Sequence, residues 1–318
     1  MDIAIDLGKR KSYVAMEDDG KVVKEGYTET SKYGFSTFFG DIKDLKIVVE
    51  ASSTINRVAN IFEGYDIVVA NPLKVRLIAQ SVRKTNKIDA HVLMGLYKKD
   101  YLPKAYLLGR EIRDARDICK DRELIVRQRA MIKNKIRYHA YCIGIEFKGF
   151  TKKTLKMLKD NPKMSLLIQQ LESTDKIIKE YDDRVSVSAD GNSYARLINT
   201  IPGIAKYGSL CIATQIGDIN RFPTEGHLFS YAGLVPRIYQ SEDTEWKGRI
   251  TKSNTFLKTI LVECVQIHIN NCPDSAITNA YNQIRIRAGK KKARIAAARR
   301  LLRVIYWMLK RNETYHVR

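Results

Sequence analysis

Acidic residues are scarce in this chain. Against 56 lysines and arginines it sets only 35 aspartates and glutamates, a formal charge of +21 over 318 residues. Such an excess raises self-repulsion, and a polyanionic partner is the ordinary reason to keep it. Nucleic acid comes first among such partners and an anionic membrane surface second. Long apolar runs are also missing; none approaches the roughly 18 residues of a membrane span. The opening "MDIAIDLG" has no basic stretch ahead of an apolar core, so no secretory leader is expected. Cysteine is sparse and scattered. Cys119, Cys142, Cys211, Cys264 and Cys272 are odd in number and form no C-x-x-C pair. That pattern excludes an obvious zinc or disulfide framework and suits a reducing cytoplasm. Hydrophobic residues, at 44%, are plentiful enough for a packed core rather than disorder.

The first hundred residues read as α/β. "DIAIDLG" alternates like a strand, and "SYVAMEDDGKVVKEGYTE" reads as two more around the turn Asp19-Gly20. A helix follows with Ser31 as its N-cap, then the strand "LKIVVEAS", a helix ending near Gly64, and the strand "DIVVANP". Two helices come next, near 73–82 and 87–101. A meander feeding β-α-β units predicts a mixed sheet with helices on its faces, the first and fourth strands being parallel neighbours at its centre.

Beyond this domain, residues 1–105, a helical arm is expected over 106–188 and a mostly helical domain over 189–318. In the arm, Ile118, Ile125 and Ile132 recur every seven residues, with Arg122 and Arg129 spoiling the seam. Met164, Leu167, Leu171, Thr174, Ile178, Tyr181 and Val185 keep coiled-coil spacing. Either an intramolecular helical hairpin or a dimerising arm fits. "SADGNS", 188–193, reads as a linker. "LINTIPGIAKYGSLCIATQIGDI" resembles a helix-hairpin-helix, whose turn at Gly203 would offer backbone N–H groups to a phosphate. The tail "RIRAGKKKARIAAARRLLRVIYWMLK" has no acid, and its apolar residues Ile295, Ala298, Leu302 and Ile305 follow one helical face. Lys290, Lys291, Lys292 and Arg294 within it are candidate nucleic-acid contacts rather than merely a solvated basic face.

The acids that could do chemistry stand at element ends. Asp6 ends the first strand, Glu50 ends the fourth, and Asp89 lies early in the last helix of the domain, three residues after Asn86. Each taken singly is an ordinary strand-end or capping residue. Together they would converge, and clustered carboxylates call for counter-charge. One or two Mg²⁺ ions are the natural answer, bound by Asp6, Glu50, Asp89 and the amide of Asn86. Lys9, Lys84 and Lys87 flank these acids and are candidate phosphate contacts. A rival reading takes "DLGKRKSYVA" as the phosphate loop of an actin-like ATPase, for which "ADGNS" would be the weak second loop.

The blocks "AIDLGKRKSYVA", "VVEASS", "KTNKIDAHVL", "IPGI", "FSYAGLVPRIYQSEDTEWKGRITKSN" and "ARRLLRVIYWML" resemble, in order and over nearly the whole chain, the DEDD insertion-sequence transposases of the IS one-ten family, relatives of pilin-gene invertases. The resemblance implies a RuvC-like domain of RNase H fold, a coiled-coil arm and a C-terminal transposase domain. It implies Mg²⁺ on the acids and a serine nucleophile that joins covalently to DNA; the matching serine is Ser241. It also implies a structured guide RNA pairing with donor and target DNA, a homodimer assembling to a tetramer, and a prokaryotic, nucleoid-associated setting without a membrane. Arg249 and Lys252 of the "GRITK" block join the candidate nucleic-acid contacts.

This sequence departs from the family pattern twice. Asn86 stands where the family usually has an acid, and Glu242 and Asp243 follow Ser241 where glycine usually follows. Two other functions use the same residues: a metal-dependent junction nuclease with water as nucleophile, and a catalytically impaired nucleic-acid-binding relative.

Overall fold

The computed structural model describes residues 1–40, 45–52, 55–78, 85–236, 238–241, 244–247 and 253–316, the two four-residue stretches by backbone alone. The chain divides into two compact units, Met1–Arg110 and Glu111–Arg318.

The first unit runs β1 (Asp2–Asp6), β2 (Lys11–Asp18), β3 (Lys21–Glu29), α1 (Lys32–Phe39), β4 (Lys46–Glu50), α2 (Ile55–Ile61), β5 (Asp66–Ala70), α3 (Pro72–Ile78), α4 (Asn86–Lys98) and β6 (Lys104–Ala105). Its described strands form one mixed sheet in the order β3-β2-β1-β4-β5-β6. β1 pairs antiparallel with β2 and parallel with β4, so the expected central parallel pair is present. The β2–β3 turn places Asp19 and Gly20 at φ 45° and 83°, the left-handed pair a tight hairpin turn needs. Ser31 caps α1 by accepting from Gly34 N at 3.0 Å.

Strand alternation sorts the sheet's side chains onto two faces. Ile3, Ile5, Val14, Met16, Ile47 and Val49 meet Phe35 and Phe39 of α1, Val58 of α2, and Phe62. Each such apolar side chain contributes about 1.5–3 kcal/mol when fully buried. The other face presents Ala4, Ala15, Val48 and Ala70 to Ala90, Leu93 and Met94 of α4 and Val75 of α3. Small residues on both sides let α4 lie close against the sheet centre.

The second unit holds α5 (Arg110–Cys142), α6 (Lys152–Lys159), α7 (Pro162–Gly191), α8 (Ser193–Asn199), α9 (Lys206–Ile216), a 3-10 turn (Ile219–Arg221), α10 (Glu225–Ala232), β7 (Ile238–Ser241), β8 (Thr244–Lys247), α11 (Thr255–Asn271) and α12 (Ala276–Arg311). α5 and α7 lie against each other within the chain. Ile132, Ile136 and Ala140 pack on Leu158, Met164, Ile168 and Leu171. The arginines that spoil the apolar seam are paired across it: Arg122 with Asp182 at 2.6 Å, and Arg129 with Asp175. The core is built from α8–α12, with Cys119 of α5 and Val185 and Ala189 of α7.

One expectation needs correction. "SADGNS" is not a linker: α7 continues through Gly191 and Asn192 both ends it and caps α8. Ala189, buried at 3% exposure, anchors that final turn despite its weak helix formers. This also removes the rival ATPase loop, because "ADGNS" follows a helix rather than a strand. Ser241 lies in β7, which pairs with β8 so that Ser241 stands opposite Thr244. In the basic tail Gly289, at φ 80° and ψ 165°, breaks α12 in two, and Ile295, Ala298, Leu302 and Ile305 lie beyond the break, the last three buried, on the expected helical face.

Candidate active site

The acids are placed by strand parity. Asp6 is two residues beyond Ala4 and Glu50 two beyond Val48, so both point to the face that α4 covers. The parallel register pairs Ile5 with Val49, which brings the carboxyl ends carrying Asp6 and Glu50 side by side. Both are half-buried. The turn after Asp6 is tight: a Cβ on Gly8 would lie 2.0 Å from the Lys11 carbonyl oxygen. Thr30 Oγ1 donates to the Gly8 carbonyl at 2.9 Å, and Arg57 donates to the Thr30 carbonyl at 2.8 Å.

Asp89 enters from α4. Thr85 caps that helix, accepting from Ile88 N at 3.2 Å, and Asp89 N donates to the Thr85 carbonyl at 2.9 Å. An acid in the first turn suits the helix dipole. Asp89 is half-buried, whereas Asn86, one residue past the cap, is exposed. The donor chemistry of Asp6, Glu50 and Asp89, all carboxylates on one face, fits a hard divalent cation. Among the described residues, however, no three His, Cys, Asp or Glu side chains are drawn close enough to hold an ion.

Beside these acids stands a carboxylate the sequence did not flag. Glu25 of β3 faces the same side, since it pairs with Ala15. It accepts hydrogen bonds from Lys87 Nζ, from His91 Nε2 at 2.7 Å and from the Tyr13 hydroxyl. Hydrogen bonds from Lys87 first, and His91 next, pull its pKa down to about 2. Burial, then Glu25, raises the Tyr13 phenol, and Glu25 raises the Lys87 ammonium. Lys98, further along the same flank of α4, pairs with Glu17 of β2. The recurrence of Lys87, His91 and Lys98 on one flank was the available sequence signal.

In the second unit, the segment carrying Ser241 is closed at its base. Asn254 N donates to the Tyr231 carbonyl at 3.0 Å. Asn254 Nδ2 donates to Gln215 Oε1 at 2.7 Å and to the Tyr231 hydroxyl at 3.0 Å, while its Oδ1 caps α11 by accepting from Leu257 N at 3.0 Å. Two arginines brace the same point by capping the end of α9. Arg116 donates to the Thr214 carbonyl at 2.9 Å and Arg221 to the Ile216 carbonyl at 2.8 Å. Arg221 also stacks on the Tyr231 ring, 4.6 Å from its centroid. Burial alone would raise the Tyr231 phenol; the Arg116 and Arg221 guanidiniums outweigh it and lower its pKa. Gln215 Nε2 and Arg116 Nε are buried donors with no partner among the described residues.

The candidate nucleic-acid contacts are dispersed. Lys9 is exposed, and Lys87 is engaged by Glu25. Lys84, Arg249 and Lys252 lie outside the described residues. Lys290, Lys291 and Lys292 are exposed just past the break in α12, and Arg294 donates to Gln266 Oε1 at 2.9 Å. Gly203 has a packing reason of its own. At φ 91° it lies so close to α11 that a Cβ would come within 2.6 Å of His268 N.

Comparison with known proteins assigns these elements to a family. A DEDD transposase model, described as "Transposase", matches residues 3–141. The model described as "Transposase IS116/IS110/IS902 family" matches residues 195–282. The chain is 25% identical to the transposase for insertion sequence element IS1111A of Coxiella burnetii, over 98% of this chain and 90% of that protein. It is 23% identical to the putative transposase y4qE of Sinorhizobium fredii, over 82% and 70% respectively. It is 30% identical to the pilin gene-inverting protein of Moraxella bovis, over 62% of this chain and 58% of that protein. Among the described residues no helix is long and apolar enough to cross a membrane. Two family models in chain order, with one relative matched along nearly the full length, make this an enzyme acting on DNA: the chain belongs to the IS116/IS110/IS902 family of insertion-sequence transposases.

Proposed function

We propose that this transposase cuts and rejoins DNA with Ser241 as nucleophile and with Asp6, Glu50 and Asp89 as ligands of Mg²⁺. The reading is carried by one observation: Asp6 and Glu50 end adjacent parallel strands on the face that α4 and Asp89 cover. When bound, the ion supplies positive charge against the non-bridging phosphate oxygens. Ser241 loses its hydroxyl proton, its Oγ–P bond forms, and the P–O bond to the departing strand breaks; that oxygen takes up a proton. Attack by a second DNA end reverses these changes and releases the serine.

The charge of +21 supports a polyanionic partner, and the relatives' names speak of transposition and of gene inversion. We include in the proposal a structured guide RNA supplying sequence choice by base pairing, a homodimer assembling to a tetramer, and a nucleoid-associated setting. In such an arrangement the protein holds backbone and shape while the RNA reads sequence. Asn86 contributes at most a neutral oxygen ligand.

A second reading is favoured by Glu242 and Asp243, which put negative charge beside Ser241. It makes the acids a nuclease site that activates water. Incubation of supercoiled and junction DNA with the protein, resolved with and without protease, separates the two. Protease-sensitive retarded DNA that is lost in Ser241→Ala, with DNA binding kept, supports the serine. Free ends without adduct, insensitive to Ser241→Ala, support water. Binding without cleavage, with or without Mg²⁺, marks an impaired relative.

A further inference from the structure

We infer that Glu25 is a positioning residue that sets the roll of α4 about its axis and so aims Asp89 at the carboxyl ends of β1 and β4. The inference rests on the acid-site reading above.

At 100° per residue, the core side of α4 is defined by Ala90, Leu93 and Met94, all buried. Lys87, His91 and Lys98 fall within about 40° of one another on one flank. Every one of them is tied to the β2–β3 side of the sheet: Lys87 and His91 to Glu25, Lys98 to Glu17. Asp89 falls on the opposite flank. Because the sheet runs β3-β2-β1-β4 beneath the helix, that flank faces β4.

The direction of the helix is fixed as well. Glu25 pairs with Ala15, which pairs with Ala4, whereas Glu17 pairs with Asp2. α4 therefore begins towards the Asp6 end of β1 and finishes towards its start. The apolar contacts leave roll less firmly set at the start of α4, because Ala90 beside Asp89 is small, whereas the large buried Leu93 and Met94 lie about one turn further on. The Glu25 clamp supplies what they lack. A carboxylate about 6 Å from a helix axis moves about 1 Å for a 10° roll. Misplacement of that size is enough to disturb a reacting group.

The test uses the full chain and Mn²⁺ as probe, with free Mn²⁺ read by electron paramagnetic resonance. The double variant Glu25→Gln/Lys87→Met removes one charge of each sign, so net charge is unchanged. The Asp89→Ala variant reports the acid site itself, and Glu63→Ala is a control for loss of a carboxylate elsewhere in the first unit. Thermal melts establish that each variant is folded. We expect Asp89→Ala to abolish tight Mn²⁺ binding, Glu63→Ala to leave it unchanged, and the double variant to weaken it about tenfold, the usual effect of losing a support behind a ligand. Wild-type affinity in the double variant, with binding lost in Asp89→Ala, overturns the positioning role and leaves the acid site standing. Wild-type affinity in Asp89→Ala overturns the acid site and the positioning role together.

Discussion

Asn254→Ala removes three side-chain hydrogen bonds at once: the cap on Leu257 N and the donations to Gln215 Oε1 and the Tyr231 hydroxyl. A lost N-cap costs about 1 kcal/mol, and each part-buried bond about another. The expected loss is about 3 kcal/mol. Asn254→Asp has a different outcome. Its carboxylate keeps the cap at the positive end of α11. Gln215 Nε2, without a partner among the described residues, can turn to donate to it, and the Tyr231 hydroxyl can do the same. The arginines that lower the Tyr231 phenol favour a negative charge there. The aspartate variant should therefore lose under about 1 kcal/mol at pH 7. Acidification through the carboxylate range should move it towards the alanine variant, because a depressed carboxylate contributes stability only while ionised. Both tryptophans, Trp246 and Trp307, lie in the second unit, so their fluorescence in urea follows its unfolding. With an m-value of about 3 kcal/mol/M, the alanine midpoint should fall by about 1 M. Equal losses in the two variants at pH 7 would refute the account of this junction.

Gly203→Ala should cost about 2–5 kcal/mol, combining a left-handed backbone with overlap on α11. Gly191→Ala, in open space at the end of α7, should be neutral or slightly stabilising in the same urea titration. Glu25→Gln should lower first-unit stability by a constant amount above about pH 4.5, shrinking as pH falls and vanishing near pH 2, because the native carboxylate titrates at about 2. Circular dichroism melts against pH measure this, and a difference that grows in acid would reverse the sign of the argument. Asn86→Ala should reduce strand cleavage less than Asp89→Ala, since Asn86 is exposed and neutral. Asn86→Asp should be tolerated and should raise helix stability by about 0.3–1 kcal/mol; a folded but inactive variant would give the amide a role of its own.

The central parallel pair, the Asp19-Gly20 turn and the Ser31 cap were legible because each is written in adjacent residues. The acids were legible for a related reason: strand ends and parity place Asp6 and Glu50 without tertiary knowledge. β6 was missed because it is two residues long and follows Pro103. The β7–β8 hairpin was missed because four-residue strands with mixed polarity carry little periodicity. The apolar face from Ile295 to Ile305 was legible from its spacing, while the break at Gly289 within "IRAGKKKAR" is signalled by a lone glycine only. The bracing of Tyr231 could not be read at all. Arg116 and Thr214 are 98 positions apart, and nothing local announces that they meet.

The order of the sheet has a consequence for solubility. Its outer strands are β3 and β6, and an unpaired outer strand invites another copy to add on. β6 offers two residues after a proline, too little to template a partner. β3 is long, but it carries Lys21 and Lys24, and its register against β2 shifts between Lys24 and Val22. Both borders of the first unit are thus poor seeds for strand-to-strand aggregation, so self-association has to be sought elsewhere on the chain.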